Sequence, residues 1–567
     1  MSSVLWETLT AARDMGRLHD IASVLIRYGF SDMVRRLGMA SALERTGKVL
    51  HWKEGAELAR LDPPTKVRRA LEEMGPTFVK LGQILATRMD LFSPKWIVEF
   101  EKLQDRAPSV PFAQIRQQLE EDLGGDLEEV FAELVAEPLA AGSIAQVHRA
   151  RLLEGEEVVV KVRRPGIRPI IEADLRLLQH LAKIVEAESP EMSRFRPREV
   201  VRQFTLSLRR ELDLAAECRN AERISHNFTS HPEIVIPRVY WKWTGERMNV
   251  QEAINGIPGR DLEATEQAGL DRKILARNGV RVLLKMILED GFFHADPHQG
   301  NIFYLPENRI ALIDFGMVGR LSAERRHQVV DLLHGLVERE ADQVVDVLLD
   351  WAGAGAIDID QDSLALEIDS LVDQYHGVPL KQLNISTILT DLTTLLREYH
   401  LALPPDLTLL TKSLITLEGM GRQLDPDFDL VAEFSPFLSR ALVARYAPDA
   451  IVKRGWKTLA GTLDIFTGLP QDLRHLLRSA RSGRLQMHVD VTRLQHFGNQ
   501  LDRAASRMTM GVVIAALIIG SSIVMTLDRG PELWGLPIFG LLGFLGAAIA
   551  GIWLLIAIRR SERSSRE

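Results

Sequence analysis

Between Gly291 and Gly316 the chain reads GFFHADPHQGNIFYLPENRIALIDFG, and this stretch holds its densest group of chemically useful side chains. His294, Asp296, His298 and Asn301 come first, and Asp314 follows after two short apolar runs joined by Pro-Glu-Asn. Apolar runs on either side of a turn make a hairpin, which folds Asp296, Asn301 and Asp314 back towards one another. Two carboxylates and an amide oxygen converging on one point suit magnesium bound to phosphate, because that hard cation takes oxygen ligands and keeps part of its water shell. The same residues could equally cap loop backbone. The choice rests on whether the rest of the chain supplies phosphate-binding parts.

Upstream elements supply them. Residues 138–166 read PLAAGSIAQVHRARLLEGEEVVVKVRRPG, two strand-like runs on either side of Glu154-Gly155. Ala140, Ala141, Gly142 and Ser143 form a small-residue mouth that lets a ligand approach backbone, and Lys161 on the second strand can reach a phosphate. Such a lysine needs a carboxylate partner. In PREVVRQFTLSLRRELDLAAECRNAERISHNF, Val201, Phe204, Leu208 and Leu212 give one helix a packing face. Glu211 and Glu217 lie six residues apart, about 120° around that helix. Glu217 is the candidate partner of Lys161, while Glu211 and Asp213 are free to face something else. Further upstream, Gly75-Pro76 separates two helices, and Lys80, Gln83 and Thr87 make a polar stripe on the second, opposite Phe78, Leu81 and Leu85.

A small-residue hairpin, a strand lysine, a helix glutamate, an HxDxxxxN loop and DFG, in that order, are the parts of a kinase-like phosphoryl-transfer site. The expected fold is α+β, a bilobal protein-kinase-like body with an N-terminal helical extension. In that frame Asn301 and Asp314 hold magnesium, Lys161 positioned by Glu217 holds the phosphates of ATP or ADP, and Asp296 orients or deprotonates the acceptor. Only Met317 to Leu321 separate Gly316 from the helix N-cap expected at Ser322, and no Ala-Pro-Glu platform for a peptide follows.

KLGQ at Lys80 to Gln83, LQDRAP at Leu103 to Pro108, AAGSIAQVHRA, VVVKVRRPG, ELDLAAE, HADPHQGN, DFG and LEGMGRQLDP together resemble the UbiB family of atypical kinases. The resemblance runs from about Val67 to Asp429 and extends to a terminal membrane hairpin. It implies a Mg-adenine-nucleotide site with ATPase activity in support of ubiquinone production, with quinone-biosynthesis enzymes or prenyl-quinone precursors as partners. It also implies an Ala-rich nucleotide loop, and an extension helix packed over the site so that Lys80 and Gln83 meet Glu211 and Asp213. Gly142 departs from the family's usual Ala-Ala-Ala-Ser, which leaves the preference between ATP and ADP open.

With 567 residues the chain has room for several units, and a net charge of -8 argues against a dedicated nucleic-acid binder. A single cysteine, Cys218, excludes an internal disulfide framework. The N-terminus lacks the features of a secretory signal, so the bulk of the chain is expected in the cytoplasm. Residues 511–527 and 538–558 carry no charge and, as helices of about 26 and 32 Å, match a bilayer. Arg503 and Arg507 before them and Arg559, Arg560 and Arg563 after them put both ends on the cytoplasmic side of the inner membrane. The expected units are a helical segment (1–66), the Lys-x-Gly-Gln extension (67–133), an N-lobe (134–255), a helical C-lobe (256–490) and a juxtamembrane helix with two membrane helices (491–567).

Overall fold

A computed structural model describes residues 12–45, 61–103, 107–188, 196–338, 340–352, 360–374, 385–399 and 403–430, with shorter pieces and single residues elsewhere up to 546. The chain divides into two compact units, Met1–Ile451 and Val452–Glu567.

The first unit begins with helices α1 (Ala12–Arg27), α2 (Ser31–Arg36) and α3 (Met39–Arg45). The extension follows as α4 (Pro63–Met74), α5 (Pro76–Ala86), α6 (Pro94–Glu101) and α7 (Phe112–Leu123). Gly75, with φ 100°, ends α4, and Pro76 opens α5, because proline at a first helical position forfeits an N–H that has no partner there. The strands are β1 (Phe131–Leu134), β2 (Ala140–Ala141), β3 (Ala145–Leu152) and β4 (Glu157–Arg163), followed by helices α8 (Ile167–Glu188), α9 (Pro197–Glu211) and α10 (Leu214–Asn227). After β5 (Ile234–Val235), β6 (Met248–Glu252) completes an antiparallel sheet of order β1-β3-β4-β6, with β2 paired to β3. Its inner face is apolar: Val158, Val160, Val162 and Val250 are fully buried, with Ile115 and Leu119 of α7 in the same cluster.

The second lobe starts with β7 (Ile257–Pro258), α11 (Leu262–Gln267) and α12 (Arg272–Leu284), which runs on as a π-helical turn to Asp290. Then come β8 (Phe292–His294), β9 (Ile302–Leu305), β10 (Arg309–Leu312) and β11 (Val318–Arg320). Helices α13 (Ala323–Glu338), α14 (Ala341–Ala352), α15 (Gln361–Gln374), α16 (Ile385–Glu398) and α17 (Pro405–Leu424) share one large core with α12 and the short strands. Ser322 caps α13 by accepting from Arg325 N at 3.1 Å, as its sequence position implied.

β5 pairs in parallel with β10, while residues 238–240 run against 250–252, with Tyr240 N donating to Val250 O at 3.0 Å and Glu252 N to Arg238 O at 2.9 Å. One expectation is corrected. The helix carrying Glu211 and Glu217 is two helices, because Asp213 turns its carboxylate onto Ala215 N at 3.1 Å and caps a new start. A side chain that satisfies backbone in this way competes with helix continuation.

The N-terminal segment gains a packing role that its sequence did not suggest. Leu18, Ile21 and Ile26 are fully buried against α8 and the extension. Arg17 makes a fork on buried Asp174 (2.8 and 3.0 Å) and also donates to Met74 O at 2.9 Å, while Thr77 donates to the same carboxylate at 2.7 Å. Asp174 therefore ties α1, α5 and α8 together, and its buried charge is matched by a bidentate partner.

In the second unit Glu532 and Leu533 pair antiparallel with Pro537 and Leu536. The stretches 511–527 and 538–558 lie largely outside the described residues, and among the described residues no helix is long and apolar enough to cross a membrane.

Candidate functional site

The β9–β10 hairpin builds the core of the site. Its register opposes Ile302 to Leu312, and Ile313 N donates to Asn301 O at 2.9 Å, which brings Asn301 and Asp314 to the same end. Glu307 and Asn308 make the turn in left-handed conformation. Asp314 is also left-handed, with φ 59°, an uncommon state for a residue with a Cβ and one that clusters at functional loops. Phe315 is buried against the His294 ring (centroids 5.4 Å apart), and Asn220 of α10 donates to its carbonyl at 3.1 Å. After Gly316 the chain pairs immediately again: β11 runs against β8, with Val318 opposite His294. The carboxylate is thus held in a short loop between two paired strands.

Lys161 enters from β4. Its Nζ lies 2.8 Å from Glu217 of α10 and 3.7 Å from Asp314, so one ammonium links sheet, helix and loop. Burial works against that charge, but the two carboxylates outweigh it and hold Lys161 above the ordinary lysine range. Lys161 in turn holds Asp314 down at about 2, against partial desolvation in the loop. Glu217 is raised by burial despite its bond to Lys161. Full ionisation of all three is favoured only while the cation sits between the acids.

The small-residue mouth is a tight turn. Gly142 N donates to Ala145 O at 2.9 Å, its carbonyl accepts from Arg164 at 2.8 Å, and Ser143 is buried. Gly142 does not have positive φ, and both its backbone polar groups are engaged, so this glycine sits in a braced turn. The extension straps across it: Ala107 N donates to Ala141 O at 3.1 Å, and Val110 N to the Gln146 side chain at 2.8 Å.

The extension helix meets the site only in part as expected. Lys80 forms an ion pair with Glu211 at 2.6 Å, and its charge also acts on Asp314. Gln83 instead donates to Leu103 O at 3.1 Å, because the strap after α6 runs past it. Asp213 is spent as a helix cap and on Arg219 at 2.7 Å. Between them, Gly82 packs directly on the buried Leu103 side chain, leaving no space for a Cβ. The other end of the extension is tied to the second lobe. Asp90, held by Arg88, accepts from Leu403 N at 3.0 Å, and Arg397 donates to Met89 O and Phe92 O at 3.4 and 3.3 Å.

Asp296 has a partner that motif reading missed. Lys412 of α17 donates to its Oδ1 at 2.7 Å, while His298 stands 3.7 Å from Oδ2 and Asn301 Nδ2 donates to the Asp296 carbonyl at 3.2 Å. Burial opposes the Asp296 charge, but Lys412 overcomes it and keeps the carboxyl below its ordinary value. His294 is fully buried and pushed by burial towards the neutral form; it bridges Ile313 O and Asp296 N and so sets the loop. One signal in the sequence pointed to Lys412: it is the only charged residue between Asp406 and Glu418 on an otherwise Leu- and Thr-rich helix.

Asp314 and Asn301 fit a magnesium ion shared with phosphates. The Asp314 side chain is 47% exposed, and no described residue donates to Asn301 Oδ1, so hard oxygen donors remain on both. Among the described residues no group of three or more His, Cys, Asp and Glu gathers as a self-sufficient metal cage.

The model of the ABC1 atypical kinase-like domain matches residues 102–348, that of the UbiB helical domain 368–429 and that of the ABC1/UbiB kinase-like C-terminal domain 492–560. The "Probable protein kinase UbiB" of Pseudomonas aeruginosa is 37% identical over 448 residues, covering 77% of this chain and 83% of that one. The protein of the same description from Xanthomonas campestris pv. campestris is 33% identical over 552 residues, covering 95% and 98%. The chain belongs to the UbiB family. Its two lobes are accordingly kinase-like, and these UbiB relatives are bacterial proteins. A solved structure, that of Rv3197 from Mycobacterium tuberculosis in complex with erythromycin, is similar at 23% identity and a TM-score of 0.46, over 58% of this chain and 83% of that one.

Proposed function

We propose that this UbiB protein is a membrane-anchored ATPase of kinase-like fold that binds Mg-adenine nucleotide and supports ubiquinone or related prenyl-quinone biosynthesis. The observation that carries the nucleotide reading is Lys161, bonded to Glu217 at 2.8 Å and 3.7 Å from Asp314, beside the braced turn at Gly142. Lys161 binds nucleotide phosphates, with Glu217 fixing its direction. Asn301 and Asp314 hold magnesium, which when bound neutralises phosphate charge. Asp296 orients the attacking group, and catalysis comes from positioning and fixed charge.

Hydrolysis is favoured over peptide phosphorylation by what surrounds Asp296. Beyond Gly316 the chain is bound into β11, with Ala295 N donating to Met317 O at 3.0 Å, so no long segment is available as a peptide platform. The Lys80 helix reaches Glu211 and acts on Asp314 beside the same loop. The UbiB name of the relatives supports the quinone role, and the charge-free stretches 511–527 and 538–558 support a two-helix anchor in the inner membrane with the kinase-like body cytoplasmic.

The test uses purified full chain with labelled ATP, magnesium, liposomes and phenolic quinone-precursor mimics. Phosphate release without any labelled product is the expected outcome. Stoichiometric label on an added protein, lipid or phenol would instead make the chain a phosphotransferase. Nucleotide binding without turnover would make it a nucleotide sensor.

A further inference from the structure

Helix α17 touches the loop that carries Asp296 at three places. Lys412 donates to Asp296 Oδ1 at 2.7 Å, Ser413 donates to His294 O at 3.4 Å, and the Gln299 side chain donates to that of Gln423. The helix is anchored in turn: Glu418, almost fully buried, accepts from Ser386 N and Oγ of α16 at 2.6 and 2.7 Å and from Arg422 at 2.9 Å. Lys412 therefore projects from a rigid support, not from the loop that it restrains. Its side chain is 29% exposed and that of Asp296 26%, so the pair lines an open site.

The pairing divides the two carboxylate oxygens. Oδ1 is tethered by Lys412, and the imidazole of His298 stands 3.7 Å from Oδ2, beyond hydrogen-bond length. A carboxylate fixed by one oxygen from a rigid helix has its rotation restricted, and the other oxygen is presented in one direction. Glu101 of α6 acts on Lys412 electrostatically but lies outside ion-pair distance, so Asp296 is its partner among the described residues.

We propose that Lys412 is a positioning residue of the phosphoryl-transfer site, clamping Asp296 from the helical lobe so that Oδ2 faces the attacking group. This rests on the Mg-nucleotide hydrolysis reading above. Because Lys412 acts through Asp296 and not through nucleotide, its removal lowers turnover and spares affinity. With full chain in detergent, Lys412→Met is expected to lower kcat roughly 10- to 100-fold, the scale of a misoriented catalytic group. KM for Mg-ATP is expected to stay within about twofold, and Lys412→Arg to recover most of the loss. Adding Lys412→Met to Asp296→Asn should lower kcat no further.

A second measurement needs no turnover. In thermal melts Asp296→Asn should lower the midpoint in the wild-type background, where it leaves Lys412 unpaired. It should lower it less, or raise it, in the Lys412→Met background, where it removes an unpaired carboxylate. Wild-type kcat in Lys412→Met, a parallel rise in KM, additive kinetic losses, or equal melting shifts in both backgrounds would overturn the proposal. If the wild-type chain turns over no nucleotide, the hydrolysis reading falls and with it the kinetic role of Lys412, while the melting cycle still decides whether the clamp exists.

Discussion

Asp314, Lys161 and Glu217 form the charge centre of the molecule, and each is constrained by the other two. Asp314→Asn removes the only negative charge from the two oxygen-donor residues suited to magnesium, so it should abolish the magnesium-dependent part of nucleotide binding. A thermal-shift titration with ATP, with and without magnesium, checks it. Lys161→Met leaves Glu217 buried without its cation, a loss of about 3–5 kcal/mol for a buried pair broken on one side. The loss has a pH sign. Burial already raises Glu217, and without Lys161 its folded-state value rises further above the unfolded one. Such an acid binds its proton more tightly when folded, so the variant is penalised least at low pH and increasingly as pH rises through the folded value. Denaturant unfolding of Lys161→Met against wild type should therefore give a larger difference at pH 8 than at pH 6.

At the scale of elements, the order hairpin, lysine strand, glutamate helix, loop and DFG was legible because each part carries its own local signal. The apolar alternation of β3 and β4, the Gly155 turn and the Pro76 helix start all appear where the pattern places them. Contacts that join distant segments were legible only where a motif carried them, as for Lys161 with Glu217 and Lys80 with Glu211. The pairing of β5 with β10 and of β8 with β11 rests on two or three residues in each strand, too few to leave a periodic pattern. Lys412 meets Asp296 across 116 positions of sequence, and spacing carries no record of such a contact. The Asp213 break was missed because helical periodicity continues through it. The extension also shows how a motif can mix roles: in KLGQ, Lys80 faces the site, while Gly82 and Gln83 fasten the helix to the Leu103 strap. Gly82→Ala must displace the buried Leu103, at a cost of about 1–3 kcal/mol for overpacking. The same change should increase hydrogen exchange in residues 103–110 while leaving the β3–β4 ladder protected.

For the molecule as a whole, the division at Ile451 separates the kinase-like body from the unit containing the apolar stretches. The body has its own cores and its own internal ties, such as Asp174 under α1 and α5 and Asp90 on Leu403. A chain ending at residue 451 should melt cooperatively and retain magnesium-dependent nucleotide binding. It should lose co-sedimentation with liposomes, which the full chain is expected to show. Retained sedimentation would put the membrane-binding surface in the body itself.

The seating of Phe315 has a pharmacological consequence. Many compounds against protein kinases work by expelling the phenylalanine of this loop and filling the space it leaves. Here its ring is buried against His294, its carbonyl is held by Asn220, and paired strands lie on both sides of the loop. Expulsion would require stripping the β8–β11 ladder as well as emptying a pocket. Inhibitors of that class should bind this chain poorly, which a competition assay against labelled nucleotide checks.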